Sequence, residues 1–149
     1  ECSGFSARGS GDVEMILDTN AISALAEQDK ALKDLVQVGP RIAVTIISLG
    51  EYAFGISQSR HRVELEAWLD ALLLKVDVLL LEQKTLPFYA EVRGRLKMAG
   101  TPIPANDCWI AALAQQHRLP IVSQDRHFDS VKGFQRIGWC ESEGSGNNS

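Results

Sequence analysis

The chain has 149 residues, of which 45% are hydrophobic and 23% charged, enough for one compact domain with a real core and too little for two of ordinary size. Its apolar stretches, such as 76–81 and 42–47, fall far short of the roughly 18 to 20 residues that cross a bilayer, so no membrane span is expected. The formal net charge of −4 argues against a protein that grips nucleic acid through a bulk excess of Lys and Arg.

Residues 1–14, ECSGFSARGSGDVE, lack the apolar run of a secretory signal and are rich in Gly and Ser. They read as a leader or an appended remnant ahead of a domain at 15–140, with Met15 as the natural start. The Gly, Ser and Asn rich segment 141–149 reads as a disordered tail. Cys2, Cys108 and Cys140 form no CxxC pair, and an odd number without a secretion signal argues against a disulfide framework. A reducing, cytoplasmic setting is the expectation. Cys108 with His117 or His127 makes no recognisable zinc spacing.

In chain order, short apolar runs alternate with helical stretches, the pattern of an α/β chain with a mostly parallel sheet. Strands are expected at 15–17, 42–47, 76–80, 119–123 and 134–137. Helices are expected at 21–28, 31–38, 49–57, 63–74, 85–99 and 107–117, with breaks at Gly39-Pro40, Gly100-Thr101-Pro102 and Leu119-Pro120.

The residues with chemical promise are four carboxylates. In MILDTN an apolar run ends in Asp18, which would emerge at the carboxyl end of the first strand, where open parallel sheets place their ligand sites. Thr19 or Asn20 could cap the helix that follows. In IAVTIISLGEY a strand ends in Ser48, and Glu51 completes an S-x-x-E capping box. In IPANDCWIAALAQQH, Pro104 and Asn106 open a helix buried along Trp109, Ile110, Leu113 and Ala114, with Asp107 in its first turn. In LPIVSQDRHF a strand runs out into Asp125, a turn aspartate past a strand end.

Each acid alone reads as a cap or a turn residue, but all four fall at strand-to-helix edges. Four carboxylates gathered there would repel one another without a hard divalent cation, and Mg²⁺ or Mn²⁺ prefers such oxygen donors. Such an ion can polarise a phosphodiester and lower the pKa of water. Between residues 15 and 140 the 14 acidic and 14 basic residues balance, and setting the four acids aside leaves a net +4, which permits RNA as a substrate.

MILDTN, ISLGEYAFG, IPANDCWIAALA and IVSQDRHF resemble the four ordered motifs of PIN-domain ribonucleases, and closely those of the VapC toxins of bacterial VapBC toxin–antitoxin pairs. The resemblance covers residues 15–139. It implies a three-layer α/β/α sandwich around a central, mostly parallel sheet of about five strands, and Mg²⁺ or Mn²⁺-dependent endoribonuclease activity. It further implies a homodimer and inhibition by a VapB-like antitoxin bound across the active-site groove. Asp18, Glu51, Asp107 and Asp125 would be the catalytic and metal-holding cluster, with Thr19, Asn20, Asn106 and Ser123 as partners that orient them. Gln124 departs from the family, which often has Asn before the last acid.

For grip on RNA, Arg93 and Lys97 lie four apart on one helical face with Arg95 displaced from it, and Arg126 follows Asp125. Arg60, His61 and Arg62 are weaker candidates, and His127 reads as a surface residue. A phosphotransferase of the haloacid-dehalogenase kind would want an Asp where Asn20 stands. A receiver domain would want an Asp pair after its first strand and a Lys after its last, and neither is evident.

Overall fold

The structure, a computed structural model, describes residues 13–37 and 41–139. Residues 1–12 of the expected leader, the close of the helix expected at 31–38, the Gly39-Pro40 break and the tail at 141–149 lie outside them, whereas Val13 and Glu14, expected in the leader, open the first strand instead. Five strands, β1 (Val13–Leu17), β2 (Arg41–Thr45), β3 (Asp77–Leu79), β4 (Ile121–Val122) and β5 (Arg136–Ile137), form one sheet in the order β3-β2-β1-β4-β5. Every pairing is parallel. Among the described residues six helices connect them: α1 (Thr19–Ala26), α2 (Lys30–Gln37), α3 (Ile46–Ser57), α4 (Arg62–Leu73), α5 (Leu86–Ala99) and α6 (Ala105–His117).

The three layers follow from the strands being apolar on both faces, as parallel strands covered by helices must be. Met15 and Leu17 of β1, Ile42 and Val44 of β2 and Val122 of β4 face one core, shared with Ala21 and Ile22 of α1, Leu32 of α2 and Leu49, Tyr52 and Ile56 of α3. Their strand neighbours Ile16, Ala43 and Ile121 face the opposite core, with Val92 and Leu96 of α5 and Ile110, Ala111 and Ala114 of α6. The period-2 alternation of side chains thus divides each strand between two hydrophobic layers.

Element boundaries shift where local chemistry intervenes. The second strand stops at Thr45, because the Thr45 hydroxyl accepts a hydrogen bond from the Ser48 N–H at 3.0 Å and starts α3 at Ile46. The expected capping box of Ser48 with Glu51 is therefore not formed: Ser48 lies inside the helix and Glu51 in its second turn. Thr19 and Asn20 do not cap α1, since both belong to it and Asp18 is the N-cap residue. Leu119 is taken by the end of α6, where Arg118 adopts a left-handed φ of 55° and the Leu119 N–H returns to the Ala114 carbonyl at 3.0 Å. Pro120, lacking an N–H, only accepts, from Ile16 at 2.9 Å. A 3-10 turn at Gln83–Thr85, closed by reciprocal bonds between Glu82 and Thr85, precedes α5. Gly100, at φ 72°, terminates that helix.

This connectivity makes a switch point. From β1 the chain runs through β2 to β3 on one side, then returns to β4 and β5 on the other. A crevice opens outside the carboxyl ends of β1 and β4, the place where open α/β sheets bind ligands.

Candidate active site

Asp18 leaves β1 directly at that crevice and is 4% exposed. It occupies the N-cap position of α1, yet its carboxylate makes no capping bond. The carboxylate is instead held from two sides: Ser123 Oγ donates to Oδ2 at 2.8 Å, and Ser48 Oγ donates to Oδ1 at 3.4 Å. Thr45 supports the second contact, its hydroxyl donating to Ser48 Oγ at 3.2 Å.

Ser123 is the first residue past β4 and fully buried. While donating to Asp18, its hydroxyl accepts from Asn20 Nδ2 at 3.1 Å and from the Asp125 N–H at 2.9 Å. One donor and two lone pairs are all used, so a single hydroxyl ties the ends of β1 and β4 to the loop that carries Asp125. Asn20 completes the frame by accepting the Gln124 N–H at 3.2 Å. The Gln124 side chain turns away from the acids, its Nε2 donating to the Trp139 carbonyl at 2.6 Å and its Oε1 accepting from the Trp139 N–H at 3.4 Å.

Asp107 sits in the first turn of α6, whose N-cap is Pro104, a residue without a capping side chain. Asp125 is the N-cap of a 3-10 turn at Arg126–Ser130 and accepts the His127 N–H at 2.9 Å. The turn reading of Asp125 thus holds, and the same carboxylate still faces the site. His127 Nδ1 lies 3.2 Å from Asp107 Oδ2 and 3.1 Å from Asp125 Oδ1. His127 is a surface residue as expected, its ring about half exposed, and it also stands between two carboxylates. The signal was present in the D-x-H spacing, because an N-cap aspartate brings residue two onward back over itself. Ser48 was misread as a cap.

Ligand atoms of Asp107, Asp125 and His127 lie within 4.8 Å of one another. Asp18 and Glu51 stand outside that tight group but are coupled to it electrically. Burial, followed by repulsion from Asp107 and Asp125, pushes the Asp18 carboxyl up against the pull of its hydrogen bonds. Burial also raises Asp107, with Asp125 adding to the rise and His127 opposing it. Glu51, on the exposed side of α3, is raised by desolvation and then by Asp18 and Asp107, and steadied by the Asn106 side chain. The four predicted acids therefore share one field; Ser123 contacts Asp18 and the Asp125 N–H, the Asn106 and Thr19 side chains reach Glu51, and Asn20 joins only through Ser123 and the Gln124 N–H. Thr19 Oγ1 is buried there without a well-formed hydrogen bond.

The donor set fits a hard divalent cation. The carboxylates repel one another, three of them are raised, and among the described residues no Lys or Arg is ion-paired to any of the four. Oxygen donors of this kind suit Mg²⁺ or Mn²⁺, and one imidazole does not exclude either.

Of the basic candidates, Arg93 and Lys97 line a cleft of about 450 Å³ with Pro102, Ile103 and Cys108. Arg126 is exposed beside Asp125. Arg95 is paired with Glu91 at 2.8 Å and Arg62 with Glu66 at 2.8 Å. Among the described residues no helix is long and apolar enough to cross a membrane.

Comparison with known proteins agrees with this layout. The chain is 27% identical over 125 residues to ribonuclease VapC5 of Mycobacterium tuberculosis, covering 82% of this chain and 90% of the relative. It is 28% identical over 126 residues to ribonuclease VapC2 of Rickettsia felis, with the same coverage of 82% and 90%. The fold is similar to that in the DNA-bound VapBC structure from Salmonella typhimurium, with a TM-score of 0.79 at 23% identity, over 87% of this chain and all of that one. The sequence profile of the PIN domain matches residues 15–133, from the strand that delivers Asp18 to the turn that follows Asp125, and the chain belongs to the PIN-domain family.

Proposed function

We propose that this chain is a divalent-metal-dependent endoribonuclease and acts as the toxin of a type II toxin–antitoxin pair. The observation that carries the reading is the field shared by Asp18, Glu51, Asp107 and Asp125 at the sheet's switch point, with Ser123 binding Asp18 and the Asp125 loop together. The ribonuclease names of the curated relatives support the substrate class.

Asp18, Asp107 and Asp125, with Glu51 from α3, would hold the cation. When bound, Mg²⁺ or Mn²⁺ supplies the positive charge that polarises the phosphodiester and makes water a better nucleophile. The chain's part is to pre-orient the oxygens. Ser123 and Ser48 fix both oxygens of Asp18, the 3-10 turn fixes Asp125, and His127 keeps Asp107 and Asp125 together. Arg93, Lys97 and Arg126 would draw the RNA backbone toward an otherwise acidic groove.

A VapB-like antitoxin fits as the partner that masks this groove, and a homodimer as the assembly. The exposed apolar side chains Ile46, Phe54, Leu80 and Leu86 give such contacts a surface. The experiment is cleavage of single-stranded and looped RNA with Mg²⁺ or Mn²⁺ against an EDTA control. Wild type is expected to cut only with metal, and Asp107→Asn not at all. Undiminished cutting by Asp107→Asn would overturn the assignment.

A further inference from the structure

Tyr89 of α5 and Trp109 of α6 stack face to face, their ring centroids 3.6 Å apart and their planes within 12°. Arg93, one turn beyond Tyr89, lies 5.7 Å from the centre of the Tyr89 ring and donates to its hydroxyl at 3.0 Å. Neither ring is fully buried, and Arg93 is exposed. Among the described residues Arg93 and Lys97 meet no carboxylate, whereas Arg41, Arg62, Arg95 and Arg136 each do.

The stack is linked to the acids through the first turns of α6. Trp109 follows Asp107 by two residues, about 3 Å along the helix axis, and lies one turn after Asn106, whose side chain meets Glu51. Tyr89 meets Trp109 from α5, and Arg93 and Lys97 follow Tyr89 at four-residue intervals along the same face of α5. Such a series suits single-stranded nucleic acid, in which an unpaired base offers a π face to aromatic and guanidinium planes and the adjoining phosphate takes the cation. A base-paired strand keeps its faces inside its own helix.

We propose that the Tyr89–Trp109 pair, with Arg93 over it, is a stacking platform for one unpaired base next to the bond to be cut, and that Arg93 and Lys97 receive the phosphate beside that base. The proposal rests on the ribonuclease reading and narrows its substrate to unpaired RNA.

The test is binding by the full chain in EDTA, where no cutting interferes, to two labelled oligomers of equal length and charge: oligoadenylate and an abasic ribose-phosphate chain. Wild type is expected to bind oligoadenylate about 5- to 100-fold more tightly. Trp109→Leu is expected to lose that preference while binding the abasic chain as wild type does, Trp109→Phe to keep most of it, and Tyr89→Leu, which also releases Arg93, to lose the preference and weaken binding of both oligomers. Arg93→Gln should weaken both oligomers and flatten the dependence on salt. A pair that merely staples α5 to α6 would lower the melting temperature in Trp109→Leu and leave the preference intact, which overturns the proposal. So would equal affinity of wild type for the two oligomers. RNA cleavage by wild type with Mn²⁺ tests the underlying reading separately. A chain that cuts RNA but binds both oligomers alike keeps the nuclease and loses the platform. A chain that cuts no RNA but prefers oligoadenylate does the reverse.

Discussion

Asp18→Asn separates a cation site from a set of structural aspartates. The carboxylate is 4% exposed, and burial outweighs its hydrogen bonds in setting the direction of its titration. Amide replacement removes the buried charge and its repulsion with Asp107 and Asp125. The Asn oxygen can still accept from Ser123, and the weaker contact to Ser48 is lost or reversed, a cost of about 1 kcal/mol. Without metal and near neutral pH, the variant is therefore expected to melt at or above wild type. The sign with pH follows from the raised carboxyl. A group that binds its proton more tightly folded than unfolded makes stability fall as pH rises through that range, so the variant's advantage should shrink as the solution is made acidic and wild-type Asp18 takes up its proton. Mn²⁺ at about 100 times its Kd should stabilise wild type by about 2.7 kcal/mol, roughly 8 to 14 °C for a domain of this size, and the variant by much less. Thermal melts of both proteins, with EDTA and with Mn²⁺ at two pH values, make the comparison. Equal stabilisation by metal, or an Asn variant melting well below wild type in EDTA, would refute the reasoning.

Ser123→Ala strands the Asp18 carboxylate, Asn20 and the Asp125 N–H at once, so it should cost about 1 to 3 kcal/mol in denaturant unfolding and lower RNA cleavage, with Ser123→Thr restoring part of both. Thr45→Val should destabilise by about 0.5 to 2 kcal/mol through loss of the α3 cap; Glu51→Ala should leave stability within about 0.5 kcal/mol, as an exposed helix position does, while abolishing cleavage. Gln124→Ala should cost about 1 kcal/mol by releasing Trp139 and leave cleavage near wild type, since its side chain points away from the acids.

The sheet and helices were legible because their signals are long and periodic: apolar strands at 15–17 and 42–45 and a buried helical face on Ile110, Leu113 and Ala114 leave few alternatives. Boundaries were less legible because single hydroxyls and carbonyls decide them. Thr45 had to compete as a cap against continuation of an apolar strand, and nothing in IAVTIIS says whether Thr45 or Ser48 does so. The acids were legible as a set, since each follows a strand end or opens a helix. The network that orients them was only half legible, because Ser48 and Ser123 meet Asp18 across 30 and 105 residues of chain and hydroxyls carry no periodicity. His127 was hidden for a similar reason. Its spacing from Asp125 suggests a turn, but only the packing of α6 against that turn puts Asp107 within reach of the same ring.

The same sheet edge that crowds the acids also offsets part of their repulsion. α1 starts at Asp18 and α6 just before Asp107, and neither has a side-chain cap, so their first-turn N–H groups direct positive potential toward the carboxylates. A cap on either helix would spend those donors locally. Helix ends contribute about 0.3 to 1 kcal/mol each at exposed sites, whereas burial of a carboxylate costs more, and the upward direction of Asp18, Asp107 and Glu51 shows which effect wins. The fold therefore stabilises the acids enough to keep them together and not enough to satisfy them. Under the proposed function, the remaining deficit of positive charge is what a bound divalent cation would supply, which would tie the stability of this domain to the ion of its chemistry.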